Sequence, residues 1–272
     1  MRLLMVADGR SPITRNWIKM LQPLGLEITL VSTFPCIEFE GVKATHVLPV
    51  AFSGLGGSQA GSSGGRKPCG LVARFRRLAA EVRHQLGPWT IPSYISRYLE
   101  IIEDVKPDLV HALRIPYEGM LASATPAGIP LVVSTWGNDL TLHAPTTRKM
   151  GALTRSTLRR TDGLMSDVRR DAGLAAQWGF DGLKPTLVVP GNGGIDLDVM
   201  LRETSGVTRV YPPQVLNPRG LRSYVRSDTF FKSIPLVLEK RPDVHFRCTS
   251  MAGQPEAEKC VRPLGIEKQV RL

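Results

Sequence analysis

Arg219, Arg222 and Arg226 fall within eight positions of one another. Guanidinium forks match phosphate oxygens bidentately, so this spacing suits a ligand carrying a diphosphate. If that diphosphate departs during a reaction, charge builds on it, and fixed cations there stabilise the transition state more than the ground state. The competing reading is a solvated basic loop. Asp139, in "STWGNDL" (134–140), is a candidate catalytic residue, because a carboxylate accepts hydrogen bonds from ligand hydroxyls on two oxygens. It could equally cap the turn after Gly137. His111, in "PDLVHA" (107–112), is a second candidate, placed to orient a substrate or phosphate, or else a structural histidine satisfied within the fold. Gly9, in Ala7-Asp8-Gly9-Arg10-Ser11, permits close backbone approach to a ligand.

Other chemistries find no support. There is no Ser-His-Asp set, zinc spacing or Walker loop, which leaves hydrolase and ATPase readings without a motif. The four cysteines, Cys36, Cys69, Cys248 and Cys260, are far apart, with no CxxC pair. That spacing fits a reducing compartment, and neither a metal site nor a disulfide scaffold is expected.

These residues need a scaffold, and the chain supplies one in a regular rhythm. Strands are expected at Leu3–Ala7, Glu27–Ser32 and Ala44–Pro49, and again at 106–112, 129–135, 162–166 and 185–190. Helices are expected at Thr14–Leu24, after Pro92, at Thr146–Arg160 and at Asp167–Trp178, the last capped by Ser166. Such alternation predicts a doubly wound parallel sheet, a Rossmann-like α/β domain over residues 1–190. Its strand ends would bring Asp8, His111, Trp136 to Asp139 and, from the next domain, Arg219 to one rim. The Gly/Ser-rich stretch 53–67 breaks the pattern as a flexible loop, and Leu71, Phe75, Leu78, Val82 and Leu86 then mark one face of an amphipathic helix. Gly-Asn-Gly-Gly (191–194) has neither a good helix after it for a phosphate cradle nor a returning strand for a hairpin. It reads as a seam, with a linker over 191–210. A fresh rhythm follows: strand 214–217, helix Ser227–Lys240, strand 243–250 and an opening strand at Gln269–Leu272. A partial second Rossmann-like domain is therefore expected over 211–272.

Together, "PDLVHA", "STWGNDL", "DGLMSDVRRD" (162–171) and "VVPGNGGID" (188–196) resemble, in order and spacing, the retaining family 4 glycosyltransferases. Residues 215–246 are similar to that family's donor-side opening. The resemblance implies a GT-B fold, with an acceptor-side and a truncated donor-side domain. It implies a hexosyltransferase-type enzyme that moves a sugar from a nucleotide-diphosphate donor to an acceptor hydroxyl with retention. That donor is a substrate, so no cofactor and no metal are implied. Arg219 matches the family's Arg after this strand, and the Lys that follows it there is filled here by Arg222 or Arg226. Trp136 stands where many members have His, and the family's paired glutamates are not found up to Leu272.

Two rivals stand beside this reading: a sugar-nucleotide epimerase on the same fold, which needs acid–base carboxylates facing the sugar, and a non-catalytic basic module. The formal charge of +11 on 272 residues favours anionic partners. The arginines of 66–97 are not interleaved with stacking aromatics, so nucleic acid is not expected. No apolar run spans a bilayer. The expected location is the cytoplasm, with peripheral membrane contact through the basic helix at 70–86 left open.

Overall fold

A computed structural model describes residues 1–54, 85–191, 194–206, 211–221 and 225–272. The amphipathic helix expected over 71–86 and most of the 53–67 loop lie outside these residues. The described chain forms two compact units, one running to Leu197 and one from Asp198 onward.

The first unit is built on a seven-stranded parallel sheet of order β3-β2-β1-β4-β5-β6-β7. Its strands are β1 (Arg2–Ala7), β2 (Glu27–Ser32), β3 (Ala44–Val47), β4 (Leu109–Ala112), β5 (Leu131–Thr135), β6 (Gly163–Ser166) and β7 (Thr186–Val188). Central strands of such a sheet are covered on both faces and read as continuous apolar runs. β1 divides its side chains by parity. Leu3, Met5 and Ala7 pack with Trp17 and Ile18 of helix α1 (Pro12–Leu21). Leu4 and Val6 pack on the other face with Tyr98, Ile101 and Ile102 of α2 (Pro92–Val105). The α/β doubly wound architecture expected from the alternation is thus the one observed.

Boundaries differ in detail for local reasons. α1 starts earlier than expected because Ser11 accepts a hydrogen bond from the Ile13 N–H and Pro12 occupies the first turn. It gives way to a 3₁₀ turn, Gln22–Leu24, closed by left-handed Gly25. α3 (Arg148–Arg160) is capped by Thr147. The Ser166 cap is a correction: α4 (Arg169–Gln177) starts only behind Val168, and the Ser166 hydroxyl donates 2.8 Å to the Val168 carbonyl instead. Within 191–210, the Gly191 N–H donates 2.8 Å to Asp167 and the Gly191 carbonyl accepts 2.9 Å from the Trp17 indole. Further on, the reading of little helical length is corrected, because Leu197–Thr204 forms a short helix, α5.

The second unit carries a three-stranded parallel sheet, β8 (Gln214–Asn217), β9 (His245–Cys248) and β10 (Val270–Arg271), with β9 in the middle. Phe231 and Ile234 of α6 (Ser227–Lys240) and Ala257 and Val261 of α7 (Pro255–Val261) bury its core against Phe246 and Val270. Among the described residues no helix is long and apolar enough to cross a membrane.

Candidate functional site

In a parallel sheet the loops beyond the carboxyl ends of adjacent strands converge, and ligands bind there. β1 lies beside β4, and β4 beside β5. Asp8 after β1, Arg114 after β4 and Trp136 after β5 therefore meet. They line a cavity of about 260 Å³ together with Phe34, Tyr117, Glu118 and His143.

Each charged group at this cavity is held by a specific partner. Asp8 grips Arg10 through the backbone N–H at 2.9 Å and through Nε and Nη2 at 3.2 and 3.1 Å. The Arg10 guanidinium lies 3.5 Å above the Phe34 ring, a cation–π placement. Arg114 donates 2.8 Å to Asp139 and lies 5.2 Å over the Trp136 ring. Burial works against the Arg114 charge, but the carboxylates of Asp139 and then Glu118 hold its pKa above the usual value. Tyr117 adopts a φ of +30°, a strained backbone for a side chain of this size, kept where the surrounding structure over-determines it.

Glu118 is buried, and its Oε1 accepts 2.7 Å from the Thr33 hydroxyl. Burial pushes its carboxyl up to about 6, although Arg114 and the Thr33 bond pull the other way. A carboxyl poised there can bind a hydroxyl as acceptor, or exchange a proton with it near neutral pH.

The residues expected from sequence fare differently. Asp139 is fully buried, and both oxygens are engaged inside the protein: Oδ1 by Arg114, Oδ2 by the Ile115 and Trp136 N–H groups, each at 3.2 Å. Its geometry is that of a group orienting Arg114 and the β5 loop, the turn-capping alternative. His111 is not brought to the cavity. It points to the α1 face, edge-on to Trp17 at 5.4 Å, with Nε2 2.8 Å from the Ser134 hydroxyl. Burial lowers its pKa to about 4 and keeps it neutral. Of the two alternatives for His111, this geometry is that of the structural one, because strand parity turns residue 111 away from Val110 and Ala112. Gly9 donates 3.0 Å to Ser32, and a Cβ there would meet Ser32 and Cys36, so glycine is required by packing against the end of β2.

In the second unit, Arg219 follows β8 on the surface, its N–H donating 3.2 Å to Asn217 Oδ1. Arg226 is exposed and meets Asp228 at 3.4 Å. Arg222 lies outside the described residues. Among the described residues no cluster of three or more His, Cys, Asp or Glu side chains is arranged to hold a metal ion. Sequence reasoning missed Arg114 and Glu118. The available signal was two charged residues in an otherwise apolar stretch, "HALRIPYEGMLA", directly after a strand.

A doubly wound seven-stranded sheet with a strand-end cavity, followed by a second parallel α/β unit, defines a GT-B-type protein. The chain belongs to the glycosyl transferase 4-like family, whose domain model matches residues 8–191. Solved structures share the fold. The UDP-GlcNAc 2-epimerase from Neisseria meningitidis, bound to UDP-GlcNAc, has a TM-score of 0.58 at 16% identity, covering 100% of this chain and 71% of that one. HepE from Anabaena, in complex with UDP and glucose, has a TM-score of 0.54 at 13% identity, covering 99% and 68%. The UDP-N-acetylglucosamine 2-epimerase from Rickettsia bellii has a TM-score of 0.54 at 10% identity, covering 100% and 68%. No curated protein matches the chain by sequence.

Proposed function

We propose that the protein belongs to a glycosyl-transfer system in which a nucleotide-diphosphate sugar donates its sugar to an acceptor hydroxyl, with retention at the anomeric carbon and without a required metal. The observation that carries this reading is the strand-end cavity in the family-matched domain, where Arg114 and Glu118 are set against Trp136. The cavity belongs to the acceptor side, and Arg219, Arg222 and Arg226 are the candidate cations for the donor diphosphate. That fold neighbours were solved with UDP, glucose or UDP-GlcNAc is consistent with such a donor.

Calorimetric titration with UDP, UDP-glucose and UDP-GlcNAc tests the donor half. Binding should be saturable, and Arg219→Ala should weaken it roughly tenfold, the scale of one charge-assisted contact. No binding by the unaltered protein, or unchanged binding in the variant, removes the assignment of that loop.

A second reading, an epimerase, is favoured by Glu118 itself, since a buried carboxyl with a raised pKa is what proton abstraction needs. Incubating the nucleotide sugar in deuterated water separates the two. Deuterium entering a ring carbon without any acceptor supports epimerisation. An acceptor-dependent new glycosidic bond, with its anomeric configuration read by NMR, supports transfer.

A further inference from the structure

Two arginines stand side by side on one face of the sheet in the second unit. The register sets Arg271 of β10 beside Arg247 of β9, and Arg247 beside Leu216 of β8. Side chains alternate along a strand, so His245 shares the face of Arg247, while Phe246 and Cys248 turn into the core. Arg247, Arg271, His245 and Lys268 are all exposed, and together they line a cavity of about 480 Å³. The first residues of all three strands, Gln214, His245 and Val270, also line it. The cavity therefore opens at the amino ends of the strands, whereas Arg219 follows the carboxyl end of β8.

Charge sets this face apart from the rest of the unit. Arg226, Arg241 and Arg262 each meet a carboxylate, at 3.4, 2.8 and 3.1 Å. Among the described residues no carboxylate lines the cavity, and Arg247, Lys268 and Arg271 are in no ion pair. Asp243, two residues before His245, is engaged by Arg241 on both oxygens. Like charges at neighbouring positions of a sheet repel. Strands about 4.8 Å apart keep two such side chains within reach of one anion, which turns that repulsion into attraction.

Each guanidinium fork matches two oxygens of one phosphate group. Two adjacent forks with a lysine beside them match two linked phosphate groups better than one. The volume lies within the roughly 300–1,000 Å³ of small-molecule sites. We propose that this face is a diphosphate-binding site, separate from the Arg219 loop, in which Arg247 and Arg271 each hold one phosphate group and Lys268 adds a third charge. The site goes beyond the glycosyl-transfer reading and does not depend on it.

Calorimetric titration of the full chain with inorganic pyrophosphate at physiological salt tests it. Binding should be saturable and at least tenfold tighter than that of orthophosphate. Arg247→Gln and Arg271→Gln should each weaken it roughly tenfold, and Arg219→Ala should leave it unchanged. Both arginines are exposed, so unchanged thermal melting should accompany the loss. Lysine at both positions keeps the charge without the forks and should weaken binding several-fold.

A nucleotide and the free anion carry the same diphosphate. In Arg219→Ala protein, UDP binding that Arg247→Gln removes assigns the nucleotide, and pyrophosphate binding without it assigns the free anion. No binding at physiological salt, equal affinity for orthophosphate, or full affinity in the double lysine variant overturns the proposal and leaves a solvated basic face. Loss of pyrophosphate binding in Arg219→Ala moves the anion to the other loop. Much tighter binding of single-stranded RNA through the same arginines also overturns it, in favour of a polyanion surface.

Discussion

The strand-end cavity of the first unit and the loop after β8 in the second both present arginines, yet they hold them by opposite means. Arg114 is bonded to a carboxylate with no exposed surface, is stacked over Trp136, and has its own side chain 28% exposed. Arg226 is 80% exposed and meets Asp228 at 3.4 Å. An exposed pair of that kind contributes about 0–1 kcal/mol. A buried pair adds little net stability as a unit, but breaking it strands a charge and is costly. The first arrangement fixes the geometry of its guanidinium, whereas the second holds its cation only loosely. Identical residue types are therefore held rigidly in one place and loosely in the other.

The largest test of that contrast is Asp139→Ala. It leaves Arg114 without its buried partner and frees two backbone N–H groups, and should lower stability in urea denaturation by about 3–4 kcal/mol. A loss under about 1 kcal/mol would show that Arg114 is as loosely held as Arg226, which would erase the difference.

His111 sharpens the comparison on the other face of the same sheet. Its folded pKa, about 4, lies below the ordinary 6.5, so the unfolded chain binds the extra proton between those values. Stability from this group is complete above pH 6.5 and falls by about 3 kcal/mol as pH drops to 4. His111→Gln should flatten that part of the pH–stability curve. If the variant keeps the full slope, the neutral buried role is wrong.

Glu118 should act with the opposite sign and a smaller size. Its folded carboxyl is raised from 4.5 to about 6, so the folded state holds the extra proton in that window. Ionising it weakens the fold as pH rises through the window, by about 2 kcal/mol in full above pH 6. Glu118→Gln should thus raise stability at pH 7 by about that amount. A variant less stable than the parent at pH 7 would mean that the carboxylate is better solvated than its burial indicates.

The smallest effect is expected in the second unit. Arg219→Ala and Arg226→Ala should each leave stability within about 0.5 kcal/mol, even where nucleotide binding falls. A larger loss would place these arginines in the scaffold and remove the contrast from the other side.

Much of the scaffold could be read in the sequence, because its signals are local. The apolar runs at Leu3–Ala7 and Glu27–Ser32, and the periodic helix over Ser227–Lys240, name their own element types. Motif order from "PDLVHA" to "VVPGNGGID" carried the family resemblance as well. Ser166 was misread as a cap because serine before a helix is a frequent signal, and only the turn geometry shows its hydroxyl donating elsewhere.

The site itself was decided by tertiary structure. Strand parity turned His111 toward Trp17, although its sequence position at a strand end is equally compatible with a ligand. Asp139 met Arg114, 25 residues earlier in the chain, and so became an orienting group. Glu118 acquired its raised pKa only when β1, β4 and β5 gathered around it and buried it, against the opposing pull of the Thr33 hydroxyl at 2.7 Å. Element type follows from the pattern of neighbours along the chain, so the sequence sufficed for it. Burial, pairing and the protonation that follows from them are properties of neighbours in space, and only the folded arrangement of the strand ends supplies those.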